Sequence, residues 1–458
     1  MRGLLLNTAD NAQIPNFLLE SAKMMRHNQA SKPSDSKYLE LLQMAFREKE
    51  IDFYTTVDEI QYKLPYYEGC KYISFPIHHG QVKLLVSEMR FFYEIFKENP
   101  SLINKPGIVI YVGSAPGEHI PLLMNYLPNI RFILIDPGHT EHKIRLYFGE
   151  FKNKKIYDLK KLKADGKLNQ LAKYIIKSSH QANIIPAFCD DELMEELSKI
   201  PNIIGMISDI RTVEMRGTDQ EGTDPNETDV IINQIMQANW FKILQNNQRA
   251  RNENLASIYF KFRLPYKNKF TSNDPKFAES IRSSSLKSLE LFGFNWYESY
   301  NSNNFKKFPY LKARFYIQAY APIKSTEVRG FIQYNTPIEI CDYDITDDFE
   351  PKMNFHLSIG RQFCFTRNGN TYDLLLMKST VSLFLGIINR YEMYYELARN
   401  LYEHTISRKK IKWYNYYETT NTLDTTSIEK LVNDYQGMQN SLNSKHSKHN
   451  KHHKHARK

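Results

Sequence analysis

Cysteine is scarce: Cys70, Cys189, Cys341 and Cys364 stand far apart in 458 residues, with no C-x-x-C pair and no Cys/His cluster at zinc-ligand spacing. That argues against a disulfide framework or a structural zinc, and no metal site is expected. A reducing compartment fits best. Long apolar runs are missing too, since no stretch approaches the roughly 20 residues that a membrane span needs. At the start, Leu4-Leu5-Leu6 gives way to Asn7 and Asp10, too short a run for a signal-peptide core. The chain is expected to be soluble and intracellular, with no membrane contact.

What is present can build a sizeable core. Hydrophobic residues make up 41% of the chain and aromatic residues 13%, with 30 Tyr and 27 Phe, which excludes disorder of the whole. The length allows one large domain with extensions or two to three ordinary ones. The formal net charge of +10 is compatible with an anionic partner and is partly local. Residues 445–458 hold six Lys and Arg and no acid, which leaves +4 for the rest.

Periodicity divides the chain. Residues 1–60 mix weak helical patterns with polar breaks and read as an extension packed on, or loosely tied to, the main domain. From Gly80 to Phe96, Val82, Leu85, Met89, Phe92 and Phe96 fall near one face of an amphipathic helix. Strand-like GIVIYVG (107–113) then leads through a turn into a helical pattern and on to a second strand, RFILID (131–136). NIIPAF (183–188), IIGMISD (203–209), ASIYFKF (256–262) and ARFYIQAY (313–320) come next as further strands. Repeated strand, helix, strand units predict a mostly parallel, doubly wound α/β sheet, which binds ligands outside the carboxyl ends of its strands. Beyond Phe355 the pattern turns helical, with residues 380–404 the strongest helix. The main domain is expected over 61–435, with a disordered basic Lys/His tail over 436–458, whose basic character fits proximity to RNA phosphates.

Gly113 comes directly after a strand and opens a helix, so backbone amides can approach a ligand with no Cβ in the way. Asp136 ends the next strand 23 residues later, the spacing at which a carboxylate reaches ribose hydroxyls. Together they indicate an adenosine-containing ligand. The turn is G-S-A-P-G, without the three-glycine spacing that closes around a pyrophosphate. S-adenosylmethionine therefore suits it better than a dinucleotide, and a nicotinamide dehydrogenase is the weaker alternative.

Six segments in order, GQVKLL (80–85), YVGSAPGEHI (111–120), FILID (132–136), ISDIR (207–211), FKFRLPY (260–266) and APIKSTEVR (321–329), resemble the motifs of the poxvirus cap-specific mRNA 2′-O-methyltransferases, which also serve as the small regulatory subunit of the viral poly(A) polymerase. The resemblance implies a Rossmann-like, doubly wound S-adenosylmethionine-dependent methyltransferase fold with added helices at both ends. It carries the family's Lys-Asp-Lys-Glu tetrad onto Lys83, Asp209, Lys261 and Glu327. Those residue types suit the chemistry: a ribose hydroxyl is a poor nucleophile and must lose its proton as it attacks a methyl group. Desolvation and a neighbouring cation both disfavour the charged form of a buried lysine. Lys261 is the candidate base, Lys83 steers the hydroxyl, and Asp209 and Glu327 fix the amines. By the same resemblance Gln81, Gly113, Gly117, Asp136, Phe188 and Asp209 line the cofactor pocket.

The implied partner is m7G-capped mRNA, with methyl transferred to the 2′-oxygen of the first transcribed nucleotide. N7-methylguanine is cationic and can be held between aromatic rings, with a carboxylate on its Watson-Crick edge. Tyr266 matches one sandwich ring, Tyr66 and Tyr67 are candidates for the other, and Glu350 in FEPKM (349–353) matches the carboxylate. The family's second carboxylate is replaced here by Asn268. The alternative function is a non-catalytic RNA-binding regulatory subunit that stimulates a poly(A) polymerase catalytic subunit; other capping enzymes are further implied partners. Resemblance to poxviruses implies a viral protein acting in the host cytoplasm, in the viral factory, with packaging in the virion an open alternative.

Overall fold

A computed structural model describes residues 54–61, 63, 80–139, 151, 153–211, 227–264, 307–321, 326–344, 348–357, 372–394, 397 and 401. Tyr66, Tyr67 and Tyr266, most of the segment 1–60 and all of the tail lie outside them. Ten described strands run in chain order as β1 (Gly107–Val112), β2 (Ile130–Ile135), β3 (Lys154–Ile156), β4 (Ala182–Ile185), β5 (Ile203–Ser208), β6 (Ser257–Phe262), β7 (Lys307–Leu311), β8 (Arg314–Tyr316), β9 (Val328–Ile332) and β10 (Ile340–Asp344). Eight of them form one sheet in the order β3-β4-β2-β1-β5-β6-β9-β8, while β7 and β10 pair separately. The first six positions pair in parallel; β9 runs antiparallel to both β6 and β8.

The central strands explain themselves. GIVIYV in β1 and IIGMIS in β5 are buried at every position, as a parallel strand covered on both faces must be. Their cover begins with α1 (Gly80–Glu98), whose Val82, Leu85, Met89, Phe92 and Phe96 are all buried as the periodicity predicts. Shorter helices come after it: α2 (Ile120–Tyr126), α3 (Leu159–Ala164), α4 (Leu171–Lys177) and α5 (Asp191–Leu197). The long α6 (Glu227–Ala250) crosses from β5 to β6. Its Gln248 donates to the Ile203 carbonyl and accepts from Ala256 N, tying the starts of both strands. Near the other end, Gln237 donates to the Lys261 carbonyl. Further along come α7 (Phe349–Phe355) and α8 (Tyr372–Ile387), and α8 packs on α1.

Two expectations change. The helix expected over 380–404 starts earlier, at Tyr372, and is broken after Ile387, while the described residues 394, 397 and 401 are again helical. Arg390 N donates to the Leu385 carbonyl and Asn389, at φ +61°, turns the chain left-handed, a C-terminal stop that an Asn can supply. ARFYIQAY is a strand only from Arg314 to Tyr316. In addition, the last part of the segment 1–60 is built into the core. Tyr54, Val57 and Ile60 are buried, Thr56 bridges Tyr316, and the Tyr372 hydroxyl donates to the Tyr54 carbonyl.

Candidate active site

The strand order reverses at β1: β2 lies on one side of it and β5 on the other. A crevice opens at such a switch point beyond the carboxyl ends of the strands. Gly113 lies directly after β1 there at φ +77°, and a Cβ on it would stand 2.7 Å from the Asp209 carbonyl carbon and 2.8 Å from its oxygen. Glycine is thus required both by the left-handed backbone and by the approach of the two loops. Gly117, at φ +66°, closes the turn over the Ser114 carbonyl. Beneath it Ser114 Oγ meets His139 Nε2 at 2.7 Å, and burial holds the His139 pKa below its ordinary value.

Asp136 lies just after β2, where its Oδ1 accepts from Gly138 N at 2.6 Å and fixes the carboxylate at the rim. Phe188, beyond β4, is 77% exposed, an aromatic ring that no packing in the described protein accounts for. Gln81, in the first turn of α1, has its amide oxygen 2.8 Å from His119 Nδ1. His119 Nε2 lies 2.7 Å from Glu88 Oε1, which also accepts from the Tyr111 hydroxyl at 2.7 Å. His119, Glu88 and Tyr111 are fully buried, so this network anchors Gln81 in the core. Burial, reinforced by Glu88, pushes the Tyr111 phenol up, so it stays a donor.

Four elements bring the remaining charges together. Lys83 comes from α1, Asp209 from the end of β5, Lys261 from β6, and Glu327 from the residue before β9. Lys83 Nζ donates to Glu327 Oε1 at 2.8 Å. Lys261 Nζ lies 3.2 Å from Asp209 Oδ1 and 3.3 Å from Glu327 Oε2. A fifth member is Arg329, whose Nη2 donates to Asp209 Oδ1 at 2.8 Å. Gln318 accepts from Arg329 Nε at 2.8 Å and donates to Glu327 Oε1 at 3.2 Å, closing the ring of contacts.

The electrostatics arise from this count of three cations and two anions. Burial disfavours both carboxylates, yet Arg329 and Lys261 hold Asp209 below its ordinary value, and Lys261, Lys83 and Arg329 hold Glu327 well below. For Lys83 burial prevails: together with Lys261 and Arg329 it outweighs attraction to the two acids and lowers the amine's pKa. Arg329 is held above its ordinary value by Asp209 and Glu327 despite its burial. The Lys83 side chain is 8% exposed and that of Lys261 16%, so Lys261 is the more open of the two amines.

Of the residues selected from sequence, Lys83, Asp209, Lys261 and Glu327 meet in one cluster, while Gln81, Gly113, Gly117, Asp136 and Phe188 sit at or beside the crevice. Glu350 lies in the first turn of α7, whose Phe349 packs edge-on against Phe262, the neighbour of Lys261. Lys63 pairs with Asp348, two residues before Glu350. Arg329, Gln318, His119 and Glu88 were not selected. One signal was available for Arg329: residues two apart on a strand share a face, so it accompanies Glu327 into the cluster.

The fold and this site define an α/β protein with a large, mostly parallel central sheet, consistent with a Rossmann-like fold, with a glycine turn at its topological switch point and a buried charged cluster beside it. Residues 49–274 match the model of a family described as the poly A polymerase regulatory subunit. A stretch of 169 residues, 36% of this chain, is 25% identical to the cap-specific mRNA (nucleoside-2′-O-)-methyltransferase of fowlpox virus (strain NVSL) and covers 43% of that relative, less than half its length. Both findings support the poxvirus-type family that the motif order suggests.

Proposed function

We propose that this protein transfers a methyl group from S-adenosylmethionine to the ribose 2′-hydroxyl of the first transcribed nucleotide of m7G-capped mRNA. One observation carries the reading: Lys83, Asp209, Lys261 and Glu327, 244 residues apart at the extremes, converge beside a glycine-turn crevice at the carboxyl ends of β1 and β5. The similarity to the fowlpox methyltransferase supports it.

The crevice fits the cofactor's parts. Phe188 offers an exposed ring to a flat base, Asp136 a fixed carboxylate to ribose hydroxyls, and Gln81 an anchored amide; Gly113 and Gly117 let the backbone approach. When bound, S-adenosylmethionine supplies an electrophilic methyl on a sulfonium. The protein's own groups handle the nucleophile. Lys261, the more open amine, accepts the proton of the 2′-hydroxyl as the oxygen attacks. Lys83, fixed on Glu327, orients that hydroxyl, and Asp209 holds Lys261 between itself and Glu327. Burial together with the Lys261 and Arg329 charges lowers the pKa of the Lys83 amine, since desolvation and like charges disfavour the ammonium.

Glu350, with Tyr266 and either Tyr66 or Tyr67, would hold the methylated guanine. Action on viral messages in the host cytoplasm belongs to the same reading. Incubation with labelled S-adenosylmethionine and RNAs of matched sequence, with and without an m7G cap, should label only the capped RNA. Absence of label on both RNAs would refute the assignment.

The family description favours a second reading, a regulatory subunit that holds RNA for a poly(A) polymerase catalytic subunit. That role would lengthen tails made by a purified polymerase equally well with Lys261 replaced by alanine. The two roles can coexist on one chain.

A further inference from the structure

Between residues 151 and 177 the sequence has nine lysines against two aspartates, a net +7, while the last fourteen residues contribute +6. With a total of +10, everything else is slightly acidic. The edge strand β3 and the helices α3 and α4 after it therefore carry a local excess of positive charge.

Lys154, Lys155, Lys160, Lys161, Lys173 and Lys177 are all exposed, and among the described residues none of them forms an ion pair. The acids of the segment are occupied: Asp158 caps α3 by accepting from Lys161 N at 3.0 Å, and Asp165 pairs with Lys167 at 3.2 Å. Lysines on an edge strand guard against strand pairing, which accounts for Lys154 and Lys155. It does not account for those on the helices. Lys163 pairs with Asp190 at 2.9 Å and Glu192 at 2.8 Å, which fastens α3 at the carboxyl-end side of the sheet, the side of the crevice. Arg131, near the start of β2, donates to the Ile175 and Ser178 carbonyls and fastens the end of α4 at the opposite side. Lys154, Lys155, Lys160 and Lys161 thus stand on the edge strand and the helix that directly follows it, the helix being fastened at the carboxyl-end side of the sheet, where Asp209 and Lys261 also stand.

We propose that this lysine edge is a docking surface for the phosphate backbone of single-stranded RNA downstream of the modified nucleotide. The proposal rests on the reading of capped RNA as substrate. Four strand spacings separate β5 from β3, about 19 Å at the usual interval. A capped dinucleotide at the charged cluster stops short of this edge, whereas a long transcript reaches it. The contacts are ionic and indifferent to base sequence, so binding falls with salt through release of counterions.

The test compares the full chain with a variant carrying Lys154→Gln, Lys155→Gln, Lys160→Gln and Lys161→Gln, all at exposed positions. Binding of an uncapped single-stranded RNA is measured against salt concentration, and methyl transfer is measured on a capped dinucleotide and on a long capped RNA. The log-log salt slope should become shallower by about 0.7 for each lysine that contacts a phosphate, up to about 2.8 for four. The KM for long capped RNA should rise while that for the dinucleotide stays unchanged. An unchanged slope and unchanged KM values would overturn the proposal, as would an equal loss on the dinucleotide. If the parent protein methylates no RNA but the variant still loses salt-dependent binding, the surface stands and the methyltransferase reading fails.

Discussion

Lys261 and Arg329 are register partners across the antiparallel pair β6 and β9, so two cations stand directly opposite each other in the core of the site. Like charges so placed repel. Asp209 Oδ1 resolves the conflict by lying 3.2 Å from Lys261 Nζ and 2.8 Å from Arg329 Nη2. Arg329 thereby does for the cluster what a third acid would not: it keeps the sum of charges positive and helps to lower the pKa of the Lys83 amine.

Arg329→Gln should therefore move the ascending limb of the pH–rate profile to higher pH and lower the rate at neutral pH. Arg329 is one of the charges that lower the Lys83 pKa, so its removal raises the pH at which the amine that orients the hydroxyl loses its charge. A profile that keeps its position would show that Arg329 has only a packing role.

Glu327→Gln removes the acid shared by both lysines and leaves three cations facing Asp209. Breaking a buried ionic network from one side costs about 3–5 kcal/mol, so denaturant unfolding should show a loss of that order. In the parent protein the same logic fixes the acid limb. Glu327 and Asp209 titrate below their ordinary values of 4.5 and 3.8, so the folded state binds fewer protons. Their stabilisation is fully present above those values and disappears as pH falls through the lower, folded ones. The denaturation midpoint should decline only below about pH 4.5, and less steeply in Glu327→Gln. Lys83 acts in the opposite sense: its charge costs stability at neutral pH, and the cost lifts as pH rises toward 10.5.

Gly113→Ala should abolish binding of S-adenosylmethionine, read by calorimetry, and lower the melting temperature. The left-handed backbone alone costs an alanine about 1–2 kcal/mol, and the new Cβ would collide with the Asp209 backbone. Unimpaired cofactor binding by this variant would mean that the loops at β1 and β5 do not form the cofactor site.

His119→Phe fills the buried ring position but releases the Gln81 amide. If Gln81 contacts the cofactor, the KM for S-adenosylmethionine should rise by roughly tenfold, the order of one hydrogen bond, with kcat little changed. Combining the substitution with Gln81→Ala should add nothing further. Additive effects would show that His119 serves the core alone.

Much of the fold was legible because its central strands are continuous apolar runs between helical patterns. GIVIYV and RFILI mark β1 and β2 to the residue or nearly so. β3, with the sequence KKI, carried no strand signal since it is an exposed edge. The insertion of β9 between β6 and β8 was hidden because antiparallel pairing over long sequence distance leaves no local trace. The meeting of Lys83, Asp209, Lys261 and Glu327 was legible from motif order, but Arg329, Gln318 and His119 were not. Their roles depend on which side chain faces which, and that is set by sheet register. Glu350 could be set against the described fold, whereas the tyrosines proposed with it lie outside the described residues.

The most direct measurement is to locate the labelled methyl after reaction of m7G-capped RNA with the parent protein and with Lys261→Ala. Label is expected on the 2′-oxygen of the first transcribed nucleotide with the parent protein and its loss with the variant. Label on a base, or transfer by Lys261→Ala at the parental rate, would contradict that expectation.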